Sequence, residues 1–267
     1  MGDEDSDDSE GEGGMGNLNR LIIRPPGHSG KAKRGHLCFD ASYETGNLGR
    51  VDLISEFEYD LFIRPDTCNP RARQWFNFSV DNTKVDQRVI FNIQEEKSLR
   101  ARYDAHHQVD ESTKMVRSFP LDTGRKVQSE LMWCKQRIPK KYVYYYKSPE
   151  HNGQNVLSIC HGFDREEDIY QFAFSFPFSY SKCQAHLKQM EQKQFPFFKR
   201  ELLAKSIQMR RIDVITITNP ANVESSKKQR IVFILGRINP GDSPTSFACQ
   251  GKCNNSQAMH TQHRYTE

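Results

Sequence analysis

Four segments of this chain place an apolar residue at every second position, and that pattern limits the possible folds more than any other feature. FEYDLFI places Phe57, Tyr59, Leu61 and Ile63 on one side. WFNFSV sets Phe76, Phe78 and Val80 against Asn77 and Ser79. RVIFNI does the same with Val89, Phe91 and Ile93, and YQFAFSF with Tyr170, Phe172, Phe174 and Phe176. A period of two puts alternate side chains on opposite faces of a strand, so each segment has one buried face and one wet face. YVYYYK (142–147) and NVLSIC (155–160) are shorter strand candidates. Several such strands with turn residues between them predict an antiparallel β-sandwich over residues 36–177. The 17 Phe and 10 Tyr among 267 residues supply its core. The polar, irregular stretch from about 95 to 128 reads as a long loop or insertion.

Near residue 178 the period changes. Ser179 or Ser181 can cap a helix that carries Leu187 and Met190 on one face. Pro196 interrupts it, and FFKRELLAKSIQMRR then spaces Phe198, Leu202 and Ile207 as a second helical face. Two nearly continuous apolar runs follow, IDVITIT (212–218) and IVFIL (231–235). Runs without alternation predict strands covered on both faces, as in a mixed or parallel sheet. The expected fold is therefore β first and α/β second: a sandwich, then the opening of an α/β unit over 178–251. The last stretch, 252–267, is polar, lacks helical periodicity and reads as a disordered tail.

The net charge of +4 hides an asymmetry. Residues 1–16 carry seven acids and no Lys or Arg, which leaves 38 basic against 27 acidic residues, or +11, for the remainder. Such an acidic segment has almost nothing to bury and, with the Pro/Gly/basic stretch 24–35, predicts a disordered tail and linker over 1–35. A basic body attracts acidic peptides, nucleic acid or anionic lipid, and charge alone selects none of them. No apolar run approaches the length of a membrane span, the N-terminus is too acidic for a secretory signal, and no membrane partner is expected. Seven Cys without regular spacing read as reduced thiols of a cytosolic or nuclear protein.

The stretch RINPGDSPTSF (237–247) has the outline of a ligand-binding turn after a strand. Gly236 and Gly241 let it bend, Pro244 can start a helix, and Asn239 and Asp242 stand three residues apart. Asn is a poor zinc ligand because its amide oxygen is neutral and weakly basic, and Asp is one methylene shorter than Glu. Residue chemistry therefore favours an ordinary structural turn. Cys249 and Cys253 fit one helix face, but C-x3-C-x6-H-x2-H with His260 and His263 is shorter than a zinc finger and is not expected to hold metal. His106-His107 lies in a polar loop. KKYVYYYK could stack bases or grip an anionic peptide, and a tyrosine-rich strand with a basic flank explains it as well. Lys33/Arg34, Lys199/Arg200 and Arg210/Arg211 read as solvated pairs. No phosphate-cradling glycine loop and no nucleophile elbow is present.

The pieces GHLCFDASYETGNLGRVD, SEFEYDLFIRPDTCNPRARQWFNFSV, QRVIFNI, PKKYVYYY, FDREEDIYQFAFSFPFSYS and LGRINPGDSPTSFACQG together resemble the cytosolic carboxypeptidases over roughly residues 17–251. The resemblance implies a β-sandwich joined to the first part of a zinc-carboxypeptidase α/β domain. It implies zinc as cofactor, and acidic, glutamate-rich protein tails as partners, those of polyglutamylated tubulin among them, in preference to nucleic acid. It implies a cytoplasmic address, with the cytoskeleton or cilium as a destination. Where the family reads His-Pro-Gly-Glu, this chain reads Asn239-Pro240-Gly241-Asp242, so two zinc-ligand positions are altered. The family's second ligand His, its substrate-carboxylate Arg and its general-base Glu lie further downstream than Glu267. The resemblance therefore predicts that these 267 residues neither hold zinc tightly nor hydrolyse a peptide bond. The competing expectation is an active zinc deglutamylase recorded incompletely, and a third is an anionic-surface or nucleic-acid binder.

Overall fold

A computed structural model of the protein describes residues 22–23, 37–66, 69, 72–95, 115–120, 134–166, 168–219, 222 and 230–263. Eleven strands form two sheets. The first sheet takes β1 (Ile22–Ile23), β2 (Cys38–Asp40), β5 (Asn77–Asp81), β11 (Asp168–Ala173), β7 (Met115–Pro120) and β8 (Cys134–Arg137), in that spatial order. The second takes β3 (Arg50–Ser55), β4 (Glu58–Phe62), β6 (Arg88–Glu95), β10 (Gln154–Gly162) and β9 (Val143–Ser148). The alternation legible in the sequence sets their inner faces. Tyr59, Leu61, Phe76, Phe78, Val80, Val89, Phe91, Ile93, Tyr170, Phe172 and Phe174 are all buried in one core.

Aromatic rings lock the layers together. Phe39 and Phe172 from the first sheet each meet Phe91 from the second edge-on, at centroid separations of 5.8 and 5.1 Å, and Phe78 meets it at 5.8 Å. Edge-to-face pairs of this kind add about 0.5–1.5 kcal/mol each beyond the area they bury.

Several expectations are corrected within the sandwich. Pairing is antiparallel throughout except between β4 and β6, which run parallel. Phe57 is exposed, because it sits in the β3–β4 turn rather than on the inner face. The stretch read as a loop from 95 to 128 contributes β7, paired to both β11 and β8. The expected tail at 1–35 contributes β1, whose two residues pair with Phe39 and Asp40. The segments 1–16 and 24–35, with Lys33/Arg34, lie outside the described residues, as does His106-His107.

Beyond the sandwich, α1 (Tyr180–Gln192) begins at the expected cap: Ser179 Oγ accepts the backbone N–H of Lys182, and Leu187 and Met190 are the buried residues of the helix. The second expected helix is instead a strand. Phe198–Lys205 (β12) pairs antiparallel with Arg211–Ile217 (β13) from Phe198↔Ile217 to Lys205↔Arg211. Its Leu, Ala, Lys and Glu favour helix locally, and pairing with the β-branched Ile212, Val214, Ile215 and Ile217 overrides that preference. No residue of β13 is buried, so it is not the strand covered on both faces that its apolar run predicted.

The run Ile231–Leu235 is no strand either. It makes no ladder with any described residue, and each of its five side chains is exposed. Lys199 is solvated as expected, but Arg200 is not. Its guanidinium is buried between Asp213 Oδ2 (2.8 Å) and Gln184 Oε1 (2.5 Å), so it ties the hairpin to α1. Finally, α2 (Ser243–His263) runs through most of the expected disordered tail. Ser243 and Pro244 start it, and once a helix is nucleated each added residue closes another backbone bond, so weak periodicity does not stop it.

Candidate functional site

The turn expected to carry chemistry lies between the exposed run 231–235 and α2. Its geometry follows from Arg237, which adopts a left-handed backbone conformation (φ 54°). That bend turns the Arg237 guanidinium back to donate to the Phe178 carbonyl and, at 3.2 Å, to the Pro240 carbonyl. The Arg237 backbone N–H donates to Thr245 Oγ1 at 2.7 Å. Ser243 Oγ donates to the Phe176 carbonyl at 2.7 Å and lies 2.7 Å from Ser175 Oγ. The Phe178 and Phe247 rings meet edge-on at 4.8 Å, with the Lys182 ammonium over both. The turn is thereby held against the end of the sandwich and the start of α1.

Within this frame Asn239 and Asp242 come together as their spacing predicts. The Asp242 backbone N–H donates to the Asn239 carbonyl at 3.0 Å and closes the turn. In return, Asp242 Oδ2 accepts from the Asn239 side-chain amide at 3.2 Å and from the Asn239 backbone N–H at 3.3 Å. This is the chemistry of a turn cap: one carboxylate satisfies the donors of the residue three places back.

It is a poor fit for zinc. The ion needs three or four basic donors converging on one point about 2.0–2.3 Å away. Here the amide offers its N–H, not its oxygen, to the oxygen that would bind the ion. Among the described residues, no group of three His, Cys, Asp or Glu side chains is placed to hold a metal.

The Cys249 thiol packs against Gly236, where an added Cβ would lie only 2.6 Å from its sulfur. A side chain at that position would have to displace the thiol. Cys249 and Cys253 share a helix face as expected, and burial raises the Cys253 thiol above its ordinary range. Burial likewise raises Cys183 on α1. The side chains of His260 and His263 lie outside the described residues.

A second cluster escaped the sequence reading. On the outer face of the second sheet, Asp60 Oδ2 accepts from Gln94 Nε2 at 2.9 Å and lies 2.8 Å from His151 Nε2. The Nδ1 of His151 lies 2.7 Å from Ser148 Oγ. Asn92 Nδ2 donates to Asp60 Oδ1 and Glu58 Oε1, and Ser158 Oγ donates to Asn92 Oδ1. The order carboxylate, imidazole, hydroxyl matches that of a nucleophilic triad. However, Ser148 is only 2% exposed and sits at the end of an edge strand three residues from the imidazole. A substrate carbonyl has no approach to it, and the cluster serves as a polar clasp. Asp60, Asn92 and Ser158 were legible as outward-facing polar positions. The return of the 149–153 turn over the sheet was not, because nothing local to His151 encodes a partner 91 residues earlier.

KKYVYYYK forms the edge strand β9 with its preceding turn. Tyr142, Tyr144 and Tyr146 are exposed, and Tyr145 packs on the core, as the tyrosine-rich strand reading requires. No helix among the described residues is long and apolar enough to cross a membrane.

Two joined observations, the interleaved sandwich and the hairpin–helix unit behind it, coincide with a sequence match. A profile of the cytosolic carboxypeptidase N-terminal domain fits residues 39–145. The chain belongs to the cytosolic carboxypeptidases, a family of metallocarboxypeptidases. Within that family it is 48% identical over 236 residues to cytosolic carboxypeptidase 6 of Homo sapiens, and 39% identical over 219 residues to that of Caenorhabditis elegans. These matches cover 88% and 82% of this chain but 44% of each relative, so the chain spans less than half the length of the curated relatives it matches. Among solved structures, a putative carboxypeptidase A from Shewanella denitrificans is 22% identical with a TM-score of 0.46, over 68% of this chain and 40% of that one. A putative carboxypeptidase from Burkholderia mallei is 19% identical with a TM-score of 0.47, over 72% and 40%.

Proposed function

We propose that these 267 residues act as a non-hydrolytic member of their family, a module that binds acidic, glutamate-rich protein tails such as those of polyglutamylated tubulin in the cytoplasm or on the cytoskeleton. One observation carries the reading. The two positions matching the family's His and Glu ligands hold an amide and a short carboxylate, and these are hydrogen-bonded to each other. A peptide-bond hydrolysis that runs on metal-polarised water needs the ion gripped first. Supporting the choice of ligand, the chain beyond its acidic first 16 residues carries a net charge of +11.

The test uses the purified chain. Metal analysis after incubation with zinc, and glutamate release from a polyglutamylated peptide, should both read blank. Fluorescence anisotropy with the same peptide should show binding that weakens steeply with salt. Stoichiometric zinc together with released glutamate would refute the proposal, and so would an absence of peptide binding at low salt.

A further inference from the structure

The tip of the β12–β13 hairpin combines three features that ordinary turn chemistry does not explain. First, it is apolar where turns are polar. Ile207 is 81% exposed, Met209 67% and Leu203 65%. Leu203 is the extra residue of a bulge between the Leu202↔Asp213 and Ala204↔Ile212 pairs. Second, it is cationic. Lys205 and Arg210 are exposed and no acid occurs between residues 202 and 212, while the neighbouring Arg211 guanidinium is held by Asp213 Oδ1 at 2.9 and 3.1 Å. Third, it is strained and braced. Met209 holds a left-handed backbone (φ 57°), a conformation that Gly or Asn occupies at lower cost. The turn is closed by Ser206 N–H to the Arg210 carbonyl and Met209 N–H to the Ser206 carbonyl, both at 2.8 Å. Behind it, Tyr180 Oη accepts the Arg211 backbone N–H at 3.1 Å, and the Arg210 guanidinium lies 5.4 Å from the Tyr180 ring.

An exposed pair of apolar side chains on a hydrogen-bonded turn, backed by Lys205 and Arg210, fits a surface that is anionic outside, oily just beneath and able to deform around a wedge. We propose that this hairpin tip docks the protein on an anionic lipid surface. Ile207 and Met209 enter the interfacial layer, and Lys205 and Arg210 meet the headgroups. The expectation of no membrane partner came from the lack of a spanning run, and a surface contact needs no span. Charge does not separate the tip from the exposed run 231–235, which Lys227, Lys228 and Arg230 precede in sequence; the hydrogen-bonded, Tyr180-braced turn that carries Ile207 and Met209 does.

The experiment is vesicle co-sedimentation with phosphatidylcholine vesicles and with vesicles containing about a third phosphatidylserine. The chain should partition at least about tenfold better onto the anionic vesicles, less so as salt rises. The Ile207→Glu/Met209→Glu double variant should lose that gain by at least about tenfold. Because both side chains are exposed, its thermal melt should match the parent. A Phe233→Glu variant should bind as the parent does, and the emission of a Met209→Trp variant should shift to the blue on anionic vesicles. Three results would each overturn the proposal: no preference for anionic vesicles, equal binding by the double variant, or loss of binding through Phe233→Glu. If the double variant instead loses affinity for a polyglutamate peptide while vesicles bind neither protein, the tip is a protein-docking element and the lipid assignment fails.

Discussion

His151 Nε2 lies 2.8 Å from Asp60 Oδ2, and this contact fastens the turn between β9 and β10 to a strand on the far side of β6 and β10. The carboxylate is the hub, since it also accepts from Asn92 and Gln94. Asp60→Ala therefore strands three donors in a buried place and should cost about 3 kcal/mol, whereas His151→Ala removes one arm and should cost about 1–2 kcal/mol. Urea denaturation of the two variants checks the order. A larger loss for His151→Ala would contradict the hub assignment.

His161 packs edge-on against Phe163 (5.1 Å) and Phe172 (5.4 Å), and burial pushes its imidazole down to about 4. The folded state thus refuses a proton that the unfolded chain takes up below the ordinary value of about 6.5. The resulting stability is fully present above pH 6.5 and is lost as pH falls from there towards 4, by up to about 3 kcal/mol. Its Nε2 has no hydrogen-bond partner among the described residues. His161→Leu should therefore flatten the curve across this window with little change at neutral pH. A stability–pH curve that keeps its slope in the variant would assign the effect elsewhere.

Burial alone would raise the Asp213 carboxyl, but hydrogen bonds from Arg200, Gln184 and Arg211 outweigh it and hold it below the usual range. Its contribution is present above the unfolded value near 3.8 and lost as pH falls below that. Arg200→Met leaves the carboxylate to Gln184 and Arg211 and should cost about 2 kcal/mol. Asp213→Ala leaves a buried guanidinium behind and should cost about 3–4 kcal/mol. Hydrogen exchange should show the loss in α1, β12 and β13. Uniform loss across the sandwich would mean that the two units unfold as one.

Ser179→Ala removes the side-chain acceptor for Lys182 N–H and should cost about 1 kcal/mol, read as faster exchange in the first turn of α1. Ser181→Ala should not, since it is the Ser181 backbone N–H that is bonded, to Glu44 Oε1 at 2.8 Å. Equal effects would indicate that the cap is shared.

The sandwich was legible because its information is local: alternation at Phe76, Phe78 and Val80 needs no knowledge of the partner strand. What was not legible depends on partners distant in sequence. Phe198–Lys205 carries a helix former's composition and becomes a strand only because β13 lies beside it. Ile231–Leu235 has a strand's composition and, with no partner among the described residues, is not one. The candidate turn falls between these cases. The spacing of Asn239 and Asp242 and the chemistry of their donors were readable. Their use of each other as partners depends on the backbone bend at Arg237, an ordinary residue in a glycine-like conformation that no residue pattern announces.

The parallel pair β4–β6 carries a kinetic consequence. The strand between them in sequence, β5, belongs to the opposite layer, and the chain also leaves the second sheet after β6 for β7 and β8 before returning as β9 and β10. Neither sheet can be finished as a ladder of successive hairpins, so each layer must serve as the other's template. Assembly should be slow and all-or-none for the size of the unit, and a nascent chain halted before β10 and β11 would hold two half-built layers rather than one complete one.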